Sequence, residues 1–333
     1  MLSKEQLAMR NNGIGGTGAA VIMGEGFMTP YQLWLSKLGL VDNDVDNEFV
    51  EWGNRHEETI AKKFIDSHPA LKVDCANITY VDAEHEWCYV TPDGEITWRP
   101  EATIGVDDDL INWLRTKNLI GEDGILEIKT TSEYAKDKWG EEQTDEIPKG
   151  YIIQTQWYMK FRNKQWAVVA VLIGGNKYRE YYVKRNDKLI HQIFDACKAF
   201  WFDNVKAEVE PELTDRDGDA LKQRYPEETE PLMISTPELD ELALTWKKLN
   251  AEINIKDADR ELAKNKIMAI LKDAVGVKGE WGSIRFGTRK GGVAYKDIVA
   301  KAIYAGDIAA EEIERNRRES YRSLNPYFKK DKK

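Results

Sequence analysis

Gly124-Ile125-Leu126-Glu127-Ile128-Lys129-Thr130-Thr131 sets an acid and an amine among apolar residues, in what reads as a short strand. Side chains alternate along a strand, so Glu127 and Lys129 leave from the same face, one pleat apart. Burying two such charges costs free energy unless they pair or hold a ligand. A divalent metal with its activated water is the ligand that would use both. Two carboxylates upstream offer themselves as partners, Asp93 in Thr91-Pro92-Asp93-Gly94 and Asp107 in Ile104-Gly105-Val106-Asp107. Either gives Asp…Glu-x-Lys, a pattern of metal-dependent phosphodiester cleavage. The same Glu-x-Lys is also an ordinary solvated ion pair on a sheet surface, so the rest of the chain has to decide.

With 333 residues, 42% of them apolar and 32% charged, the chain has room for a substantial core and for two domains. Eleven tryptophans and fourteen tyrosines argue against disorder. Met1–Gln6 has no apolar signal region, and no apolar run approaches the ~20 residues of a membrane span. Cys75, Cys88 and Cys197 are scattered without a C-x-x-C pair, which fits a reducing cytosol and excludes a four-cysteine cluster or zinc ribbon from this chain. A soluble cytoplasmic protein without membrane partners is expected. The net charge of −10 argues against non-specific coating of nucleic acid. It leaves room for a nuclease, because metal-binding carboxylates count as negative.

Near the start, Gly13, Gly15 and Gly18 satisfy G-x-G-x-x-G, but polar, helix-like residues stand where the dinucleotide fingerprint needs a strand. What remains is a glycine loop opening a small-residue helix. Its backbone N–H groups are suited to an anion, with Arg10 and Thr17 supplying a guanidinium and a hydroxyl to one phosphate. The alternative is a loop that lets a helix pack closely. Thr29-Pro30 predicts a capped helix ending at Gly39. A second helix is expected over Asn47–Phe64, with Phe49, Trp52, Ile60 and Phe64 on or near one face and Glu57 four residues after Gly53.

Strands are expected at Val73–Val81, Trp87–Thr91, Ile96–Asp107 and Ile125–Lys129, with Pro92-Asp93-Gly94 as a tight turn. Asp107 belongs to an acidic run, Asp107-Asp108-Asp109, for which solvation is the plain alternative to a metal. Lys149-Gly150-Tyr151 begins a helix in which Tyr151, Gln154 and Tyr158 share a face while Gln156 points elsewhere. Trp166–Ile173 reads as a buried strand, with Tyr178–Val183 its hairpin partner across Gly174-Gly175-Asn176. Ile190, Ile193, Phe194, Cys197, Phe200 and Trp201 mark an amphipathic helix.

Composition turns polar near Pro211–Pro231, which divides the chain into 1–210, a linker over 211–232, and a C-terminal module over 233–333. In that module Thr236-Pro237 opens a helix whose Leu239, Leu242, Trp246, Leu249 and Ile253 form a stripe expected to be core or a seam between helices. A hairpin is expected over Trp281–Tyr295, carrying Arg285, Arg289 and Lys290. The end is basic, with Arg315, Arg317, Arg318, Arg322, Lys329, Lys330, Lys332 and Lys333, as either a DNA-phosphate contact or a solvated tail.

Taken in chain order, these pieces resemble the lambda-exonuclease-like, YqaJ-type viral recombinase family of the PD-(D/E)XK nucleases. The matching residues are Arg10…Gly13-Ile14-Gly15-Gly16-Thr17, Trp52-Gly53-Asn54-Arg55-His56-Glu57, Thr91-Pro92-Asp93-Gly94, Leu126-Glu127-Ile128-Lys129-Thr130 and Tyr151-Ile152-Ile153-Gln154-Thr155-Gln156. Val168–Ile173 is similar to the family's late core strand, and the likeness covers about residues 8–205. The fold it implies is α/β (α+β): a PD-(D/E)XK core with a central mixed sheet flanked by helices, followed here by a mainly helical module with a β-hairpin and basic tail.

The activity the resemblance implies is 5′-to-3′ exonuclease digestion of double-stranded DNA ends in phage-type recombination. Its metal site carries over to Glu57, Asp93, Glu127 and the backbone carbonyl of Ile128. Lys129 would orient or help deprotonate the attacking water. Arg10, Thr17, Gln154 and Tyr151 fall where the family receives DNA and its 5′ phosphate. Hard oxygen donors favour Mg²⁺ or Mn²⁺, as two ions. A toroidal homo-oligomer (a trimer) and a single-strand annealing partner are also implied. The chain departs from the family in Thr17, where serine is usual, and in Gly18, where an acid is common. It also departs in a long Asp93-to-Glu127 connection, which reads as an inserted strand and helix over about 95–120 and keeps Asp107 as rival to Asp93. A superfamily endonuclease and a nuclease-dead DNA-binding scaffold are the competing readings; the second should have lost Glu127 or Lys129.

Overall fold

The computed structural model describes residues 11–41, 48–76, 78–99, 108–229, 231, 233–288, 295–305, 312 and 315. Arg10, Asp107, Arg289, Lys290 and the basic tail apart from Arg315 lie outside them. The chain divides into two units, Met1–Arg224 and Tyr225–Lys333.

The first unit is built on a five-stranded sheet. Its strands are β1 (Leu71–Asp74), β4 (Gly94–Trp98), β5 (Gly124–Thr131), β6 (Trp166–Ile173) and β7 (Lys177–Lys184), in the order β1-β4-β5-β6-β7. Short strands β2 (Tyr80–Val81) and β3 (Tyr89–Val90) pair apart from it. Only β5 and β6 run parallel, from Gly124↔Trp166 to Thr131↔Ile173; the other neighbours are antiparallel, so the sheet is mixed. A parallel pair needs a crossover, and Lys149–Phe161 supplies a helix between the two strands.

β6 shows why the sheet lies in the middle. Ala167, Val169, Val171 and Ile173 enter one apolar core while Trp166, Val168 and Ala170 enter the other. A strand covered on both faces needs an unbroken apolar run rather than alternation. Helices α1 (Gly16–Ile22), α2 (Pro30–Lys37), α5 (Lys149–Phe161) and α6 (Asp187–Ala199) border the first core. Helices α3 (Glu48–Ser67) and α4 (Asp109–Thr116) border the second, through Ile60, Phe64, Leu110, Ile111 and Leu114. Each such side chain contributes roughly 1.5–3 kcal/mol when fully buried. Trp52, expected near the same face of α3, is half exposed.

The cap at Thr29 is as the sequence predicts: its hydroxyl accepts from Gln32 N–H at 3.1 Å while Gln32 Oε1 accepts from Thr29 N–H at 2.9 Å. Such a box stabilises a helix start by about 1 kcal/mol. The Thr29 hydroxyl also donates to Asp217, which is fully buried. The stretch expected as a linker therefore begins as part of this unit. Helix α7 (Gly218–Arg224) buries Ala220, and Arg224 lies 5.1 Å from the Trp34 ring and donates to the Tyr31 hydroxyl at 2.8 Å.

Three further expectations change. The strand expected over Ile96–Asp107 is β4, Gly94–Trp98; residues 100–107 lie outside the described ones, and Asp108 caps α4. The C-terminal hairpin is β8 (Gly276–Gly279) with β9 (Gly282–Arg285), so Trp281 sits in its turn rather than opening a strand. Helix α8 (Pro237–Leu271), capped by Thr236 as expected, has no buried residue among those described, and Leu239, Leu242, Leu249 and Ile253 are exposed rather than core. Helix α9 (Tyr295–Ala305) follows the hairpin.

At the far edge of the sheet, residues 143–144 run beside β7: Gln143 N–H donates to Glu180 O at 2.9 Å and Tyr182 N–H to Thr144 O at 3.0 Å. Gln156 Nε2 reaches Lys184 O at 2.8 Å.

A buried polar network ties the inserted helix α4 to this side of the sheet. His68 Nδ1 lies 2.7 Å from Asp108 Oδ2, and His68 Nε2 lies 2.9 Å from Glu180 Oε2. Tyr178 donates to the other Glu180 oxygen at 2.6 Å. Burial by itself lowers the imidazole's pKa, but the bonds to Asp108 and Glu180 and their charges outweigh it and hold it at about 9, above its ordinary 6.5. A folded-state pKa raised in this way contributes stability that is complete below pH 6.5 and is lost as pH rises through 9. Urea unfolding of the whole chain at a series of pH values is expected to show a decline of about 3 kcal/mol across that window, which the His68→Gln variant should lack.

Candidate active site

β4 and β5 pair only from Gly94↔Leu126 to Ile96↔Gly124. Among the described residues, no strand lies beside the β4 side of β5 beyond Leu126. There the Asp93 carboxylate takes over, with Oδ2 accepting from the Ile128 N–H at 2.7 Å. Carrying the same register one residue further sets Asp93 opposite Glu127, and opposed residues of an antiparallel pair share a face. The tight turn read at Pro92-Asp93-Gly94 is thus the entry to β4, and it delivers a carboxylate to the critical strand. Gly94 keeps this crossing close: a Cβ would stand 3.0 Å from Val73 Cγ1 and 3.3 Å from Leu126 Cβ, so the neighbours would have to give by a few tenths of an ångström.

Glu127 is 1% exposed. Its Oε1 accepts from the Lys129 ammonium and from Gln154 Nε2, the latter at 2.6 Å. Its Oε2, equally buried, has no hydrogen-bond partner among the described residues. Burial and then the Asp93 charge push the Glu127 carboxyl up to about 8, against the pull of Lys129. The Asp93 carboxyl is also raised, by burial, with Lys129 and the Ile128 N–H opposing. Burial lowers the pKa of Lys129, but Glu127 and Asp93 overcome it and hold the amine charged.

Glu57 arrives from α3. A Cβ at Gly53 would make ordinary contact, 3.5 Å, with Thr130 Oγ1, so this helix runs beside the end of β5. Glu57 lies one turn further on, half-buried, and its carboxyl is raised by burial and then by Asp93. The Cys75 thiol responds to the same neighbourhood, raised by burial and then by Asp93, Asp74 and Glu57. Among the described residues no three His, Cys, Asp or Glu side chains stand in ligating geometry around one point. Glu57, Asp93 and Glu127 nevertheless lie within electrostatic reach of one another, and each has its ionised form disfavoured. A donor set of hard oxygens with one buried, unpartnered atom fits a hard divalent cation, which would offset that repulsion.

The residues expected at the DNA and phosphate divide. Gln154 is buried and spends its amide on Glu127 and on the Tyr158 hydroxyl at 3.0 Å. Tyr151 stacks on Trp139 with ring centroids 5.5 Å apart, and its own ring lies 5.3 Å from Lys129 Nζ. Both therefore border the carboxylates. Thr17 is exposed at the first turn of α1. Gln156 points away, to Lys184 O, as its place on the helix predicts.

The glycine loop packs tightly at every turn. A Cβ at Gly13 would come 2.5 Å from the Trp87 carbonyl oxygen, and one at Gly15 2.5 Å from the Tyr89 ring. Between them Ile14 N–H donates to Trp87 O at 2.7 Å. The sequence pattern gives Tyr158 a face of the helix but no partner; its spacing four residues after Gln154 is the signal that the two meet.

Residues 5–165 match the family model for the YqaJ-like viral recombinase domain. The uncharacterized protein YqaJ of Bacillus subtilis (strain 168) is 30% identical over 284 residues, spanning 82% of this chain and 80% of that protein. Among solved structures, an alkaline exonuclease from Laribacter hongkongensis is similar at 18% identity and a TM-score of 0.43, over 62% of this chain and 95% of that one. A phage-related exonuclease from Haemophilus somnus 129PT is similar at 15% identity and a TM-score of 0.39, over 60% of this chain and 99% of that one.

Because the Asp93 charge helps to hold the Glu127 proton, Asp93→Asn is expected to lower the Glu127 titration from about 8 toward its ordinary 4.5. Carbon-13 NMR of the metal-free protein would record it, and an unmoved midpoint would show that the two carboxylates do not interact.

Proposed function

The chain belongs to the YqaJ-like viral recombinase family, and from that premise we propose that it is a metal-dependent deoxyribonuclease that digests linear double-stranded DNA from its 5′ ends. The observation that carries the reading is Glu127: a buried carboxylate with one oxygen tied to Lys129 and Gln154, the other unpartnered, and Asp93 and Glu57 close enough to raise its pKa.

In this reading Glu57, Asp93, Glu127 and the Ile128 carbonyl hold Mg²⁺ or Mn²⁺, as two ions. A metal held there would supply polarisation of the scissile phosphate, a lower pKa for the attacking water and stabilisation of the leaving 3′ oxygen. Lys129, kept as an ammonium by the carboxylates, orients that water by donating to it. Asp93 fixes the strand backbone at Ile128 while its charge serves the site. Gln154 holds Glu127 so that one oxygen stays available. Thr17 and Arg10 receive the terminal 5′ phosphate, and Tyr151 lines the approach beneath Lys129. The family's recombination role extends the reading to a 3′ single strand handed to an annealing protein, by a toroidal homo-oligomer in the cytoplasm.

The decisive substrate is a linear duplex with one 5′-phosphorylated and one 5′-hydroxyl end, incubated with Mg²⁺ or EDTA beside a closed circle. Metal-dependent release of mononucleotides from the phosphorylated end is expected. Glu127→Ala, Lys129→Ala and Asp93→Asn should lose at least about 10²-fold in rate, whereas Asp107→Asn should keep it. Nicking of the circle would replace the exonuclease with an endonuclease, and full activity of Lys129→Ala would remove the site assignment.

A further inference from the structure

The seat of Gln154 is made by a residue with no side chain. α1 begins at Gly16, and an ideal Cβ built there would stand 2.8 Å from Gln154 Cγ and 2.7 and 3.1 Å from Tyr158 Cε1 and Cζ. Contacts under 3.0 Å force something to move, and neither neighbour is a loose chain end. Gln154 is 7% exposed and Tyr158 5%, so both are confined on all sides. Close-packed interiors pass such a displacement on to the next group. For Gln154 that group is Glu127, held at 2.6 Å through Nε2.

Gly18, two residues on, is the built-in contrast. A Cβ there would meet Ile14 Cγ2 at 3.5 Å and Leu33 Cδ2 at 3.8 Å, which is ordinary contact. The helix start thus tolerates a methyl group at one glycine and not at the other, and the intolerant one packs on Gln154 and Tyr158.

We propose that Gly16 is a positioning residue for the carboxylate site: its bare α-carbon sets Gln154, and Gln154 sets Glu127 so that Oε2 is presented to metal. The inference rests on the function proposed above. It also couples the first turn of α1, which carries Thr17, to the metal ligand through a single side chain. A change at Gly16 reaches Glu127 without touching it.

The test reads metal binding and not turnover. Mn²⁺ affinity of the full chain is measured by calorimetry and by electron paramagnetic resonance for the parent, Gly16→Ala, Gly18→Ala, Gln154→Ala and the Gly16→Ala/Gln154→Ala double variant. Removing support from a metal ligand weakens binding about 10–100-fold, and that loss is expected for Gly16→Ala and for Gln154→Ala. Gly18→Ala should stay within about twofold, as expected of a change that leaves the ligand's support in place. The double variant should lose no more than Gln154→Ala alone, because both changes act through one amide.

Parent-like Mn²⁺ affinity in folded Gly16→Ala, or losses that multiply in the double variant, would overturn the inference while leaving the nuclease reading intact. A parent chain that binds no Mn²⁺ would overturn both. Should Gly16→Ala not fold by circular dichroism, Tyr158→Phe decides instead. It removes the hydroxyl 3.0 Å from the Gln154 amide without filling space, and unchanged affinity there overturns the inference equally.

Discussion

The most exacting group in the protein is the Glu127 carboxylate. Taking an ionised acid out of water costs several kcal/mol even after the protein relaxes around it. Lys129 and the Gln154 amide offset that cost at one oxygen and leave the other bare. Much of the first unit serves to keep this arrangement in place. β6 and the apolar residues of β5 lock the strand between two cores. Asp93 closes the backbone where the β4 ladder stops. α5 brings Gln154 and Tyr151 over the same face, and α3 brings Glu57 to the end of the strand. An apolar residue in place of Glu127 would avoid the cost of burying a carboxylate, and that uncompensated cost at Oε2 is what a bound cation would offset.

Packing at the N-terminal loop follows the same logic on a smaller scale. Gly13 and Gly15 let the loop lie on Trp87 and Tyr89, and Gly16 lets it lie on α5. The two readings open at the sequence level, an anion loop and a close-packing loop, are therefore compatible. The glycines act through packing, and Thr17 beside Gly16 stays exposed at the surface.

Local signals were the legible ones. The caps at Thr29 and Thr236, the unbroken apolar strand Trp166–Ile173 and the alternation around Glu127 each declare themselves within a few residues, and the structure has the corresponding elements. The family resemblance singled out Asp93, Glu127 and Lys129 for metal and water and Gln154 and Tyr151 for DNA, and the structure sets Gln154 against Glu127 and Tyr151 beside Lys129. What stayed hidden depends on distant partners. Asp108 looked solvated within its acidic run, yet it is buried against His68, 40 residues away, and through His68 it meets Glu180. Asp217 sits in a stretch of linker composition and is fully buried against Thr29, 188 residues earlier. Composition reports average polarity, and one buried acid with a remote partner does not change the average.

The backbone along the outer side of β7 has a consequence for how copies of this chain can meet. An edge strand normally offers a row of free N–H and C=O groups to any other strand. Here Glu180 and Tyr182 are already engaged by residues 143–144, and the Lys184 carbonyl by Gln156. At those groups the border of the sheet is already occupied. A strand from another copy that paired at Glu180 O, Tyr182 N–H or Lys184 O would first have to displace these bonds, which sets a cost on continuous intermolecular pairing there.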